Sequence, residues 1–439
     1  MTVIEPSGSQ AWPRRRPASI RDVARLAGVS HQTVSRVLNG NPSIRDATKS
    51  RVLAAMDELQ FRPSRAARML SRQRSQTIGI LAAAVGGHYG PASSVSAVED
   101  AARERGYYAT VAHLASVGPN AISAAITDLL SQDVEGIVIV APRITVLSLL
   151  AALPMTVPIV AAQGEPHNAS GIPVASVNQE AGARMVLEHL IQRGHSRILH
   201  VAGPPDWNDA QLRLRAYRTT LAEAGLPASP PLFGDWTADS GFEIGRALTK
   251  DGADSARPQL PFTAVFSSND QMALGLIHAF RAAGLDVPRD VSIVGFDDIP
   301  ESAHFWPPLT TVRQDFRNLG VRCVTMLLDA IHRAGDPAAA PDTSISSVVE
   351  PQLVIRDSVS WVLPGPATGS QHLYGEETLR QVAAQSQAIA GVLACSSSTR
   401  RRPRGRSRTN SVGMPPTTAW RAGSDGPGAR EDCLIIHPT

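Results

Sequence analysis

Several residues that could bind a sugar follow short apolar runs in the second half of the sequence. Arginine, aspartate and asparagine side chains can form paired hydrogen bonds with adjacent hydroxyl groups, and an aromatic ring can stack on the apolar face of a sugar. Each residue alone also has a structural interpretation, as a core tryptophan, a surface arginine or, at Asp270, a helix cap. Their occurrence together near the ends of predicted strands favours a carbohydrate site. The set comprises Arg213, Trp236, Asn269, Asp270, Asp297 and Asp298.

The sequence offers no comparable set of residues for catalysis. Asp297 and Asp298 are adjacent, so on an extended segment their side chains point apart and make a poor catalytic pair. The segment GGHYGP lacks the Lys-Ser/Thr of a phosphate-binding loop, and the chain has no HExxH and no paired CxxC motif. The three cysteines are too few and too scattered for a disulfide framework or a zinc cluster. We therefore expect no enzymatic activity, no catalytic residues, no metal and no cofactor.

Residues 20–38 have the pattern of a helix-turn-helix. Ala24 is small where a second helix would cross, and Gly28 tolerates the left-handed geometry of the turn. Ser30 is expected to cap the second helix, and Ser43 with Asp46 to begin a third. Polar residues at the start of a groove-inserted helix can contact base edges, although an ordinary helical hairpin is an alternative. The outward-facing residues are Ser30, His31, Gln32, Ser35 and Arg36.

Charge separates the two ends of the chain from its middle. The 439 residues carry a net charge of +3, but residues 1–75 contain 14 basic against five acidic residues. Residues 396–439 contain eight against three, so residues 76–395 are acidic overall. A basic head on an acidic body predicts that the head contacts a polyanion. The Arg-rich end is expected either to add nonspecific attraction to DNA or to have no role.

The sequence indicates a cytoplasmic protein. No apolar run approaches the roughly 20 residues that a membrane helix needs, so we expect no membrane association. The basic run Arg14–Arg16 is not followed by the apolar stretch of a secretory signal. Scarce cysteines fit a reducing compartment.

From residue 77 onward, short apolar strands alternate with helices, which is typical of parallel sheets covered on both faces. There are too many strands for one small sheet, so we expect an α/β core of two doubly wound lobes. The predicted strands are 77–81, 108–114, 135–140, 158–162, 197–203, 262–268 and 291–296, and the predicted helices include 179–193, 211–224, 270–283 and 316–334.

These patterns divide the chain into a small all-α head, a linker and an α/β core. We expect the N-lobe of the core at about 76–175 and 314–343, and the C-lobe at about 176–313 and 344–361. The full division is 1–17 as a disordered arm, 18–62 as the helix-turn-helix domain, 63–75 as a hinge helix or linker, 76–361 as the core and 362–439 as a largely disordered extension.

The head resembles the DNA-binding domain of the LacI/GalR family of repressors, in the run DVARLAGVSHQTVSRVLNGNPSIRDATKSRVLAAMDELQFRPSRAARML. The resemblance implies that His31 and Gln32 contact bases in the major groove, that Arg36 contacts a base or a phosphate, and that Ser30 and Thr33 contact phosphates. It further implies that segment 64–72 becomes helical on DNA, where Leu70 is inserted into the minor groove. The residues assigned to DNA binding are Ser30, His31, Gln32, Thr33, Ser35, Arg36, Asn39, Arg65 and Leu70.

The core resembles the two-lobed, periplasmic-binding-protein-like sensor of sugar-responsive members of that family. The stretches QLRLRAY, GDWTADSGF, SNDQMALG and GFDDIPESAHFWPPLTTVRQDF carry this resemblance. It implies that a ligand lies between the lobes, with Trp236 stacked on the sugar ring. Gln163 stands where a sugar-sensing member has an aspartate, which leaves the galactoside identity open. The implied ligand-binding residues are His88, Tyr89, Pro91, Gln163, Arg213, Trp236, Asn269, Asp297, Gln314 and Phe316.

The expected function is a homodimeric repressor that binds double-stranded operator DNA and releases it when a small carbohydrate, a β-galactoside or related glycoside, binds. Helices at 92–105 and 316–334 could form the dimer face, although their apolar residues are equally explained as core. Segment 376–394 has no regular leucine repeat, so a tetramer is less expected. The alternatives are a corepressor, a non-sugar effector or a free solute-binding protein. The basic head and the missing signal peptide argue against the last.

Overall fold

A computed structural model describes most of the head and the core. The predicted arm at 1–17, hinge at 63–75 and extension at 362–439 lie almost entirely outside the described residues. The described residues are 16, 18–38, 41–62, 74–82, 88–114, 116–162, 171–250, 258–334 and 346–362.

The head is a cluster of three helices, α1 (Ile20–Ala27), α2 (His31–Leu38) and α3 (Asp46–Glu58). Small apolar residues of all three form its core, among them the fully buried Val23, Val34 and Val52. Ser19 and Asp22 cap α1 reciprocally, and Gly28 ends it at a left-handed φ of 63°. These features confirm the predicted helix-turn-helix.

The start of α3 differs from the prediction that Ser43 begins it with Asp46. Arg45 stands immediately before the helix and makes no side-chain cap hydrogen bond. The Ser43 hydroxyl instead donates to Asn41 Oδ1 at 2.7 Å, and its backbone N–H donates to the same oxygen at 3.0 Å. The Ser43 hydroxyl is thus used in a local Asx turn, and the residue before α3 is Arg45.

The core contains twelve described strands and eight described α-helices. The strands are β1 (Thr77–Ala82), β2 (Tyr108–His113), β3 (Gly136–Val140), β4 (Ile159–Ala162), β5 (Val174–Val177), β6 (Ile198–Ala202), β7 (Leu232–Phe233), β8 (Ala264–Ser267), β9 (Ser292–Val294), β10 (Thr311–Arg313), β11 (Ser346–Val349) and β12 (Gln352–Val354). The helices are α4 (Tyr89–Glu104), α5 (Pro119–Ser131), α6 (Ile144–Ala151), α7 (Gln179–Gln192), α8 (Asn208–Glu223), α9 (Ala238–Lys250), α10 (Asp270–Ala282) and α11 (Phe316–Ala334).

Two parallel sheets form the two lobes. The N-lobe sheet has the strand order β11-β5-β4-β3-β1-β2, and the C-lobe sheet has the order β7-β6-β8-β9. Each sheet separates two apolar clusters, one on each face, because its strands are buried on both sides. A short antiparallel pair, β10 with β12, lies in the crossover between the lobes. The predicted pair of doubly wound sheets is confirmed.

The lobe boundaries differ from the prediction at two strands. β11 pairs in parallel with β5, so Ser346–Val349 belong to the N-lobe sheet and not to the C-lobe. β5 runs to Val177, beyond the predicted N-lobe limit of 175. Neither strand was among those predicted from the sequence.

The two helices expected at a dimer face use their apolar residues in the core. Val98 on α4 and Leu319 and Leu327 on α11 are fully buried in one cluster with strands of the N-lobe sheet. A Cβ on Gly320 would clash with the backbone of Ala97, so α4 and α11 pack closely on each other. These apolar residues therefore support the core interpretation and not a free dimer face.

In the described part of the chain, no helix has the length and hydropathy to cross a membrane.

Candidate functional site

Helix α2 presents polar side chains on its outer face, as the sequence predicted. His31, Gln32 and Arg36 are exposed, whereas Val34 and Val37 on the opposite face are buried. Ser30 is exposed and caps the helix by accepting a hydrogen bond from the Thr33 backbone N–H at 3.1 Å.

The remaining predicted DNA-contacting residues are less exposed or lie outside the described residues. Ser35 and Thr33 are half-buried, and the hydroxyls of Thr33 and Ser30 lie 2.9 Å apart. Three predicted DNA-contacting residues lie outside the described part of the chain, namely Asn39, Arg65 and Leu70.

The predicted ligand-binding residues converge on one cavity between the lobes. Most of them come from loops or helix starts that follow the carboxyl ends of strands, the position at which doubly wound folds bind ligands. The cavity has a volume of about 30 Å³. Its lining includes two residues that were not predicted from the sequence, Trp207 and Asp209. The predicted residues that line it are His88, Tyr89, Pro91, Arg213, Trp236, Asn269, Asp297 and Gln314.

A ring of hydrogen-bonded side chains forms one wall of this cavity. The guanidinium of Arg213 donates from Nε and Nη2 to Gln179 Oε1, at 3.0 and 2.8 Å, and from Nη1 to the carbonyl of Ser268. Gln179 Nε2 donates to Gln314 Oε1 at 2.9 Å, and Gln314 Nε2 donates to Asp297 Oδ1 at 2.7 Å. An ion pair of 3.7 Å between Asp297 and Arg213 closes the ring. All four side chains are buried, so their positions are fixed before a ligand arrives.

Burial dominates the electrostatics of the cavity. It raises the pKa of Asp297 to about 6, against the opposing effects of Arg213 and of the hydrogen bond from Gln314. Burial also raises the pKa of Asp209 and lowers that of Arg213, while each partly stabilises the charge of the other. The pKa of His88 is lowered by burial, so its imidazole is neutral at pH 7.

Contacts with neighbouring residues hold Trp236 in an unfavourable backbone conformation. Its φ is 75°, a left-handed value that costs a tryptophan about 1–3 kcal/mol. A Cβ on Gly203, just after β6, would clash with its six-membered ring. Asn269 Nδ2 donates to the Trp236 carbonyl at 2.9 Å, and the Trp207 ring lies 5.4 Å from the Trp236 ring. The Trp236 Nε1 is buried and makes no hydrogen bond, which leaves one donor for a ligand.

Asn269 and Asp270 divide their structural roles differently from the prediction. Asn269 caps α10 by accepting from the Met272 backbone N–H at 2.9 Å, so Asp270 is not the cap. The Asp270 carboxylate instead accepts from the Ile299 N–H at 2.9 Å and the Thr311 hydroxyl at 2.5 Å. Burial and the nearby Asp297 raise the pKa of Asp270 well above its usual value. Asp270 therefore positions the loop that carries Asp297.

Phe316 does not line the cavity, contrary to the prediction. Its ring packs edge-on at 6.0 Å against Tyr89, and it belongs to the N-lobe core. With Tyr89 and Gln314 it lines a second, larger groove of about 720 Å³, outside the cleft. Two residues that line that groove, Arg317 and Glu104, form an ion pair of 3.4 Å. Gln163 lies outside the described residues.

A direct contact joins the lobes beside the cavity. Arg143 of the N-lobe forms a 2.6 Å ion pair with Asp206 of the C-lobe. Two backbone hydrogen bonds flank it, from Ile144 N–H to the Asp206 carbonyl and from Asn208 N–H to the Pro142 carbonyl, at 3.1 and 2.9 Å. We call these contacts the interlobe clasp. Separation of the lobes must break the clasp.

Sequence reasoning missed three residues of the site. Trp207 and Asp209 follow β6 as the predicted residues follow their own strands, so strand position was a signal that could have found them. Gln179 follows β5, a strand that was not predicted, so its position carried no such signal. His88 and Trp207 pack edge-on at 5.1 Å across the cleft, one from each lobe.

Family models match the head and the second part of the core. The model described as bacterial regulatory proteins, lacI family, matches residues 19–64, which contain the three head helices. The model of a periplasmic binding protein-like domain matches residues 187–359. A model of the L-arabinose isomerase N-terminal domain matches residues 360–403, almost all of them outside the described residues, and this partial match assigns no activity.

The chain is also similar over most of its length to known repressors. It is 36% identical to the lactose operon repressor of Escherichia coli (strain K12), over 71% of this chain and 84% of that protein. It is 34% identical to the ribose operon repressor of the same strain, over 73% and 94% of the two chains. The HTH-type transcriptional repressor PurR of Pasteurella multocida (strain Pm70) is 34% identical, over 78% and 98%.

Solved structures give the same fold. The crystal structure of the lac repressor dimer bound to operator and the anti-inducer ONPF matches with a TM-score of 0.66 and 32% identity, over 79% of this chain and all of that one. The transcriptional regulator CelR–cellobiose complex matches with a TM-score of 0.55 and 29% identity, over 78% and 99%. This chain therefore belongs to the LacI family of bacterial regulatory proteins and is a transcriptional repressor.

Proposed function

We propose that this repressor controls a sugar-utilisation operon and that a small carbohydrate, a β-galactoside or related glycoside, binds between its lobes as the inducer. The observation that carries this proposal is the buried ring of Arg213, Gln179, Gln314 and Asp297 beside the indole of Trp236. Fixed donors and acceptors next to an aromatic face suit a ligand that has hydroxyl groups around an apolar ring.

The names of several relatives support a sugar as the effector but differ on which sugar. They mention lactose, ribose and, in one solved complex, cellobiose. The ring and the indole recognise features that these sugars share, namely adjacent hydroxyls and an apolar ring face. The cavity chemistry thus supports the sugar class more strongly than the galactoside identity.

Ligand entry requires the lobes to move. A cavity of about 30 Å³ is far smaller than the roughly 300–1,000 Å³ of ordinary ligand pockets. The interlobe clasp, centred on Arg143 and Asp206, must open to admit a sugar and can close again around it. In the proposed mechanism, closure around the ligand shifts the lobes and loosens the hinge at 63–75, so that operator affinity falls.

The head is proposed to bind operator DNA as half of a homodimer in the cytoplasm. Two copies of α2 would then contact the half-sites of a near-palindromic operator. His31 and Gln32 are proposed to contact bases, because they are exposed near the start of α2. Ser30, Thr33, Ser35 and Arg36 are proposed to position the helix on the groove. The same proposal assigns contacts to Asn39, Arg65 and Leu70.

A thermal-shift screen tests the sugar-binding part of the proposal. We expect a β-galactoside or another neutral glycoside to raise the Tm of the full chain. Trp236→Ala should abolish that shift, and Trp236→Phe should retain part of it because an aromatic face remains. A sugar whose shift survives Trp236→Ala at full size would contradict the proposed pocket. A ligand that tightens operator binding would identify a corepressor.

A further inference from the structure

Asp209 is a buried carboxylate without an ion-pair partner in the described part of the chain. It is the second residue of α8, it is only 8% exposed, and it lines the cleft cavity. Arg213 lies one helical turn later on the same face, but no arginine or lysine among the described residues comes within 4 Å of the Asp209 carboxylate.

A structural role explains this position only in part. A carboxylate in the first turn of a helix is stabilised by the helix dipole, but an exposed side chain obtains the same benefit without losing its hydration. Burial raises the pKa of Asp209, which means that the surroundings disfavour its charge. A buried carboxyl group that lines a ligand cavity and forms no ion pair among the described residues points to a role in ligand binding.

Three of the five N–H groups of Arg213, the positive charge of the cavity, already donate hydrogen bonds to the protein. The described lining residues include two carboxyl groups, those of Asp209 and Asp297, but only one guanidinium, that of Arg213. Nε, Nη1 and Nη2 of Arg213 already donate to Gln179 and to the Ser268 carbonyl, and Asp297 faces the same guanidinium. An anionic ligand would therefore add a third negative group to a closed space of low polarity.

We propose that Asp209 is a specificity-determining residue whose carboxylate accepts hydrogen bonds from sugar hydroxyls and, together with Asp297, excludes sugars that carry a carboxylate or a phosphate. This inference rests on the proposed function and narrows its effector to uncharged sugars. Arg213 is the nearby positive charge that favours the ionised form of both carboxyl groups.

The test compares matched sugars that differ only in charge. Isothermal titration of the full chain would use galactose, glucose and their methyl β-glycosides, each beside its 6-phosphate or its uronate. We expect every anionic form to bind at least about tenfold more weakly than its neutral counterpart. Asp209→Asn keeps the shape and removes the charge, so it should reduce that ratio at least about fivefold. Asp128→Asn on the exposed face of α5 is the matched control and should leave the ratio unchanged.

The possible outcomes separate this inference from the proposed function. Equal binding of neutral and anionic sugars by the unchanged chain would overturn the proposed exclusion of anionic sugars. The proposed sugar-binding function would remain intact. An unchanged ratio in Asp209→Asn would overturn the role of Asp209. If that variant does not fold, Asp209→Ser, which also removes the charge, carries the same expectation. If no sugar of either charge binds the unchanged chain, the proposed effector class is overturned, and the inference falls with it.

Discussion

Helix α2 and the interlobe cleft hold their proposed binding residues in opposite ways. On α2, His31, Gln32 and Arg36 are exposed, and the helix is held by small apolar residues on its other face. In the cleft, Arg213 and Asp297 are buried and hydrogen-bonded within a closed ring. The comparison implies that binding and folding are separable in the head but are coupled in the cleft.

The largest effect is expected from Arg213→Ala. The change removes a buried cation and leaves Asp297 and Gln179 without their partner, so the free energy of unfolding should fall by about 3–5 kcal/mol. Denaturant unfolding of the core measures this loss, and ligand titration should show that sugar binding is lost as well. Arg218→Ala, an exposed change on the same helix, should alter stability by less than about 0.5 kcal/mol. Stability equal to that of the unchanged chain would show that binding and folding are separable in the cleft as well.

In the head, His31→Ala and Gln32→Ala should each weaken binding to a duplex selected by the unchanged protein by about 1–3 kcal/mol. The Tm should stay the same, because both side chains are exposed. Affinity for a random duplex serves as the control and should hardly change, since base contacts supply specificity and phosphate contacts do not. A large loss of stability in either variant would show that binding and folding are coupled here too.

Acid should weaken sugar binding through Asp297. The pKa of this carboxyl is about 6 in the folded protein, and hydroxyl groups that donate to the carboxylate stabilise its ionised form. Affinity should therefore be full above pH 6 and should fall as the pH drops through 6, by up to about tenfold at pH 5. Titrations at pH 5, 6 and 7 measure this, and Asp297→Asn should flatten the profile. Tighter binding at pH 5 would contradict the proposed hydrogen bonds.

The smallest effect is expected at the interlobe clasp. The ion pair between Arg143 and Asp206 is partly exposed, so its loss should cost about 0.2–1 kcal/mol. We expect Arg143→Ala and Asp206→Ala to change sugar affinity by less than about fivefold each. A double-mutant cycle measures the coupling energy between the two side chains, and exchanging the two residues for each other should restore that coupling. Fully additive effects of the two substitutions would mean that the ion pair does not contribute to closure.

The same contrast explains how much the sequence alone could predict. The head was predictable because its signals are local: the Ser19 cap, Gly28 in the turn and an apolar stripe. The positions of seven strands, and the convergence of residues such as Arg213 and Asp297 at strand ends, could be predicted from apolar runs in the sequence. Gln179 was missed because it follows β5, a strand that was not predicted from the sequence.

Details that depend on packing could not be predicted from pattern. Asn269 and Asp270 are both plausible caps, and only the hydrogen bonds show that Asn269 caps the helix while Asp270 holds the loop at Ile299. Phe316 follows Gln314 by two residues, yet it packs behind Tyr89 and not in the cavity. Side-chain direction at a lobe crossover is set by tertiary contacts, which carry no periodic signal.

Sugar binding in the cleft is proposed to weaken DNA binding by the head, and DNA binding to weaken sugar binding. Reciprocal titration measures both effects. Operator affinity would be measured by fluorescence anisotropy with and without saturating sugar, and sugar affinity by calorimetry with and without operator, at one salt concentration. Linkage requires both affinities to fall by the same factor, typically about 5–150-fold. Unchanged sugar affinity in the presence of operator would contradict the proposed coupling between the cleft and the head.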